Sequence, residues 1–135
     1  MAQGAVISAF KARLATEWNN RCPIVDSLNG AGDADAPFLT MQFPVANEDQ
    51  ISIGAPGANL FRETGAARFV LSIKTGIGID GYIDWIDALR ASFRAKQFNG
   101  VNTWAPSSPV LDDDNNDGGF WLLSFAVPYY FDFIS

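Results

Sequence analysis

Val6, Ile7, Phe10 and Leu14 fall at helical spacing while Lys11, Arg13 and Glu17 lie off that stripe, which predicts an amphipathic helix over about residues 3–18. Pro23 ends it; the following P-I-V is a short strand candidate, and S-L-N-G-A-G-D-A-D-A-P carries strong turn chemistry. From Phe38 the period changes to two. Leu39, Met41 and Phe43 alternate with Thr40 and Gln42, as in a half-buried strand. Ile51 and Ile53 repeat the pattern, G-A-P-G interrupts it and N-L-F-R-E resumes it. Phe69, Leu71 and Ile73 then alternate with Arg68, Val70, Ser72 and Lys74, the clearest strand in the middle of the chain.

The period returns to helical over about residues 80–95, where Tyr82, Ile86, Leu89 and Phe93 form one stripe with Ile83 beside it. Asp80 is placed to cap this helix, Asp84 follows, and Arg90, Arg94 and Lys96 gather at the far end, an order that complements the helix dipole. Gly100 predicts a stop before a V-N-T-W strand. The C-terminal run puts Trp121, Leu123, Phe125, Val127, Tyr129, Phe131 and Phe133 on one side of a long strand, with Pro128 marking an edge, a bulge or the end of pairing. The pattern predicts an α+β fold, one mainly antiparallel (mixed) sheet with two helices packed against it, spanning residues 1–135 as a single domain.

Composition agrees with a folded core: 48% of residues are hydrophobic and only 18% charged. The net charge of −6 sets 15 acids against 9 bases, but four of the acids cluster as Asp112, Asp113, Asp114 and Asp117. No basic face of the kind that neutralises nucleic-acid phosphates is visible. A lone Cys22 excludes an intrachain disulfide and a cysteine-based zinc site, and beside Pro23 it reads as a small apolar residue. The N-terminal sequence has no basic region followed by an apolar stretch, and no segment approaches the ~20 apolar residues needed to span a bilayer. The expectation is a soluble protein made in a reducing compartment, with no membrane association.

Three motifs invite a chemical reading. Gly76, Gly78 and Gly81 spell G-x-G-x-x-G between a predicted strand and a predicted helix, the context of a dinucleotide-binding turn. The acidic residue expected roughly 20 positions later is missing, since no Asp or Glu lies between Asp87 and Asp112, so the glycines read as a strand-to-helix turn and no cofactor is expected. Asp113, Asn115, Asp117 and Gly118 match the first half of an EF-hand loop, but Trp121 and Ser124 stand at its ninth and twelfth positions, where the twelfth requires a bidentate Glu. That leaves a solvated turn, with a small cation- or ligand-binding module as the alternative. The chain has no histidine, which excludes triads and a histidine base. Asp80, Asp84 and Asp87 share one side of a helix and could run acid–base chemistry, but dipole complementarity accounts for the first two and an i,i+3 pair with Arg90 for the third. No enzyme is expected.

The block N-L-F-R-E-T-G-A-A-R-F-V-L-S-I-K-T-G-I-G-I-D-G-Y-I-D-W-I-D-A-L-R-A-S-F-R-A-K-Q-F-N-G-V, with its R-E-x-G element, G-x-G turn and terminal F-x-G-V, resembles the central part of small tail-terminator and tail-completion proteins of long-tailed phages. The N-terminal helix before a Pro-led strand is similar too, so the resemblance spans most of the chain. It implies a structural virion protein: a ring, generally of six subunits, that caps the tail tube, stops its polymerisation and presents a surface to the head connector. Neighbouring neck and tail-completion proteins look alike at this level. The partners implied are further copies of the chain, the major tail-tube protein and the head–tail connector protein, with DNA passing through the lumen without specific binding. The implied location is the virion, after assembly in the host cytoplasm. Charges in and beside strands, Arg62, Glu63 and Arg68, are the candidate subunit contacts, with cross-strand pairing inside one subunit as the alternative. Asp112, Asp113, Asp114 and Asp117 form a candidate acidic loop facing a partner or the lumen.

Overall fold

The computed structural model describes residues 3–19, 21–26, 37–74, 80–112 and 120–135. Helix α1 spans Gly4–Glu17, followed by strands β1 (Ile24–Asp26), β2 (Phe38–Gln50) and β3 (Leu60–Lys74). Helix α2 spans Asp80–Phe93, followed by β4 (Gln97–Phe98), β5 (Val101–Thr103), β6 (Val110–Asp112) and β7 (Phe120–Ile134). All the strands join one sheet in the order β1-β2-β3-β7-β5-β4, with β6 also paired to β7. Among the described residues only the β1–β2 pair is parallel. The fold is α+β, a mainly antiparallel sheet carrying both helices on one face.

Alternation decides that face. Ala67, Phe69, Leu71 and Ile73 of β3 and Leu123, Phe125, Val127 and Tyr129 of β7 point into one core with Val6, Phe10 and Leu14 of α1 and Ile86, Leu89 and Phe93 of α2. Phe10 sits at its centre, its ring 5.2–5.5 Å from those of Phe43, Phe93, Phe98 and Tyr129. The opposite face is not uniformly wet: Phe38, Thr40, Val70 and Ser72, neighbours across β2 and β3, are buried on it.

Several local features differ from the periodicity. Residues 51–59 are not a strand, and Ile53 is fully exposed. Phe43 and Pro44 lie between the Gln42↔Arg68 and Val45↔Ala66 pairs, a bulge, which is where a proline is accommodated within a strand. Gly100 is not the helix stop. α2 ends at Phe93, and Asn99 (φ 49°) and Gly100 (φ 85°) form the two-residue turn between β4 and β5, a hairpin geometry that requires positive φ at both positions. Pro128 pairs opposite Ala66 without breaking β7. Its carbonyl accepts from the Trp104 N–H at 3.0 Å, so its missing N–H lies on the same side, just where β5 ends at Thr103. Pro128 thus marks the end of the β5 pairing, while β6 takes up the same flank of β7 again at Ser124.

The strands outreach the helices. Fifteen residues of β3 and of β7 span roughly 50 Å at ~3.3 Å each, against ~21 Å for a 14-residue helix. A three-stranded ribbon of β2, β3 and β7 therefore runs on past the start of α1.

Candidate assembly surface

The ribbon begins where α1 begins. Gln3, the N-cap of α1, makes no side-chain cap, and no acid lies in the first turn. The sheet supplies what the helix lacks. Glu63 of β3 is only 4% exposed and accepts the Gln3 backbone N–H at 3.2 Å on one carboxylate oxygen and the Tyr129 hydroxyl at 2.8 Å on the other. A carboxylate at this position also complements the positive end of the helix dipole. Burial, reinforced by the Glu63 carboxylate, holds the Tyr129 phenol well above the ordinary tyrosine range.

Gly65, next on the same face of β3, permits this packing. A Cβ there would collide with the Val45 carbonyl oxygen and would sit 2.9 Å from the Tyr129 hydroxyl and 3.1 Å from the Ala46 Cα. The glycine is required by close approach of β2.

The two arginines of the R-E-x-G region lie on the opposite, solvent face. Arg62 makes a bidentate pair with Asp132, its cross-strand neighbour, at 2.7 and 2.9 Å, and its guanidinium lies 4.8 Å from the Tyr130 ring centre. The hydrogen bond from Arg62 holds the Asp132 carboxyl below the usual carboxylate range. Arg68 donates to the Gln42 side chain at 3.2 Å, again directly across strands. Arg62, Glu63 and Arg68 thus each have a partner inside the chain, across strands for the two arginines and from α1 and β7 for Glu63; Arg62 and Arg68 remain solvent-facing.

Past Glu63 the helix-side face carries aromatic rings over which, among the described residues, no helix lies. Phe133 stacks on Phe61 at 5.6 Å and on Phe131 at 5.9 Å, and all three are half-buried. At the same end of the ribbon Ile134, 72% exposed, follows Phe133 on the other face of β7, and Ile51, 47% exposed, donates its N–H to the Leu60 carbonyl at 2.8 Å; Ile53 beyond it is 99% exposed. Uncovered apolar surface of this kind is frequent where proteins meet partners.

The chemical motifs contribute little beside this. Of the acidic loop, Asp112 is the last residue of β6, while Asp113, Asp114 and Asp117, like the EF-hand positions Asn115 and Gly118, lie outside the described residues; Trp121 and Ser124 belong to β7. Gly76 and Gly78 also lie outside them, and Gly81 is in the first turn of α2. Asp87 pairs with Arg90 at 3.4 Å, as the i,i+3 spacing predicts. Among the described residues no cluster of three or more His, Cys, Asp or Glu side chains could hold a metal. Cys22 is buried, and desolvation pushes its thiol up to about 11, in keeping with an apolar role. A groove of about 210 Å³ between α1 and β4, lined by Ala9, Ala12, Arg13 and Phe98 among others, is smaller than the ~300 Å³ at which small-molecule pockets begin.

The chain matches no protein-family model and no curated protein. It is similar to a solved structure that covers 98% of this chain and 97% of its own, with a TM-score of 0.60 and 17% sequence identity. At that identity the likeness shows a shared fold over the whole chain.

Proposed function

We propose that this chain is a structural phage-tail component that assembles as a ring, generally of six copies, on the end of the tail tube, stops tube polymerisation and offers the opposite face to the head–tail connector. The observation that carries the reading is the end of the β2–β3–β7 ribbon, where, among the described residues, no helix covers the stacked Phe61 and Phe133 on one face and Ile134 is exposed on the other, leaving apolar surface for a neighbour. The sequence resemblance of residues 59–101 to tail terminators supports it. The net charge of −6 suits a lumen through which DNA passes without being bound. In such a ring Arg62 and Arg68 remain available for contacts, whereas Glu63 serves the interior of its own subunit.

The test is addition of the purified protein to polymerising tail-tube protein, with tube length and tube ends followed by electron microscopy. The expected result is shorter tubes, each bearing a ring of extra density at one end. Tubes that grow unchanged and uncapped would overturn the reading. Rings that bind the isolated connector but never a tube end would instead assign the chain to the neck.

A further inference from the structure

We infer that copies of the chain join head to tail through opposite edges of the sheet, the acidic edge of β2 in one copy against the basic edge formed by β4 and the end of α2 in the next. The inference rests on the ring reading and names its subunit contact.

Strand β1 pairs only with Leu39, Thr40 and Met41, so among the described residues the outer edge of β2 from Gln42 to Gln50 has no strand beside it. That edge carries Glu48 and Asp49, both exposed and neither with a side-chain partner among the described residues. Pro44 and these charges guard it against indiscriminate pairing, as natural edge strands are guarded. At the other side of the sheet, Arg94 and Lys96 follow α2 and lead into β4. They too are exposed, and their side chains have no partner among the described residues.

The two edges lie at one height. A single row of paired residues runs Glu48–Glu63–Phe131–Val101–Phe98 across β2, β3, β7, β5 and β4. A neighbour displaced along that row brings its Phe98 edge, with Arg94 and Lys96, beside Glu48 and Asp49. Contact of either edge with its own kind would oppose like charges, which disfavours a two-fold arrangement through them. A contact between two different patches of one chain is heterologous, and heterologous contacts close into rings when the rotation permits. Charge complementarity therefore selects a second copy of this chain as the occupant.

The experiment uses two charge-reversed variants, Glu48→Lys with Asp49→Lys and Arg94→Glu with Lys96→Glu, assayed by native mass spectrometry at low salt and on tail tubes. Each variant alone is expected to lose rings at least tenfold while melting like the wild type. Mixed in equal amounts they should regain rings with even subunit numbers, because each then meets the opposite charge on both sides. In the wild-type ring a zero-length carbodiimide should couple Lys96 to Glu48 or Asp49. Within one chain these edges stand about 19 Å apart, four strand spacings, so the coupling reports a neighbour. Rings that survive either reversal, or a mixture that regains none, would overturn this contact and leave the ring reading standing. Wild-type protein that stays monomeric even on tail tubes would overturn both.

Discussion

Tyr129 of β7 donates its hydroxyl to Glu63 of β3 at 2.8 Å beneath the first turn of α1, and the same carboxylate receives the N–H of Gln3. The pair fixes where the helix starts on the sheet, and so where the uncovered ribbon begins. A buried carboxylate with a donor on each oxygen is stable; with one donor removed it is not, because the freed oxygen keeps its desolvation cost.

Tyr129→Phe should therefore destabilise the chain by about 1–3 kcal/mol, and Glu63→Ala by at least as much, since it also uncaps α1. Urea unfolding followed by circular dichroism checks this. In the double variant the two losses should fall short of adding, as expected for partners in one network. Strict additivity would show that the two side chains do not act together.

Gly65→Ala should cost about 1–3 kcal/mol, because the atoms a methyl group would meet include the β2 backbone, which cannot swing aside like a side chain. Gly81→Ala is the matched control. Its Cβ would enter open space within α2, so this variant should gain about 0.5–1 kcal/mol from reduced unfolded-state freedom and better helix propensity. Thermal melts of the two variants should shift in opposite directions.

The fold was legible wherever period and burial coincide: both helix stripes, and the alternation of β3 and β7 that fills the core from Ala67 to Ile73 and from Leu123 to Tyr129. The Asp87–Arg90 pair was legible from spacing alone. The inward direction of Glu63 was also written in the pattern, since it continues the odd-numbered register of Ala67, Phe69 and Leu71. Its charge argued for the surface, and only the partners Tyr129 and Gln3, 66 and 60 residues away, outweigh that. The Asn99-Gly100 turn carried the strongest short hairpin signal there is, yet its strands are two and three residues long, too short for an alternation to declare itself. The charged edges could not be read at all without the sheet order, because Glu48 and Lys96 acquire their relation only through the intervening strands.

Alkaline pH should destabilise the protein through two groups. Cys22, pushed up to about 11 by burial, and Tyr129, raised by burial and by Glu63, both hold their protons more tightly folded than unfolded. Their contribution is complete below the ordinary thiol and phenol values and is lost as pH rises through about 9 and beyond, where only the unfolded chain ionises readily. Urea midpoints measured from about pH 8 to about pH 11 should fall, and Cys22→Ala and Tyr129→Phe should each flatten part of that fall. Cys22 should likewise resist thiol reagents in the native state and react fully in urea.

Thr103 closes the far end of α2 and offers the last test. Its hydroxyl donates to the Phe93 carbonyl at 2.6 Å and accepts the Lys96 N–H at 2.9 Å, while its own N–H reaches the Lys96 carbonyl at 2.9 Å. The bond to Phe93 is buried, so that carbonyl loses its partner without a ready replacement once the hydroxyl is gone. Thr103→Val keeps the shape and removes both bonds, and should cost about 2 kcal/mol, whereas Thr103→Ser keeps them and should cost about 1 kcal/mol or less. Because this hydroxyl holds the backbone of Lys96, the valine variant should also weaken ring formation relative to the serine variant at a temperature where both are folded. Equal ring yields from the two would place the subunit contact away from the β4 edge.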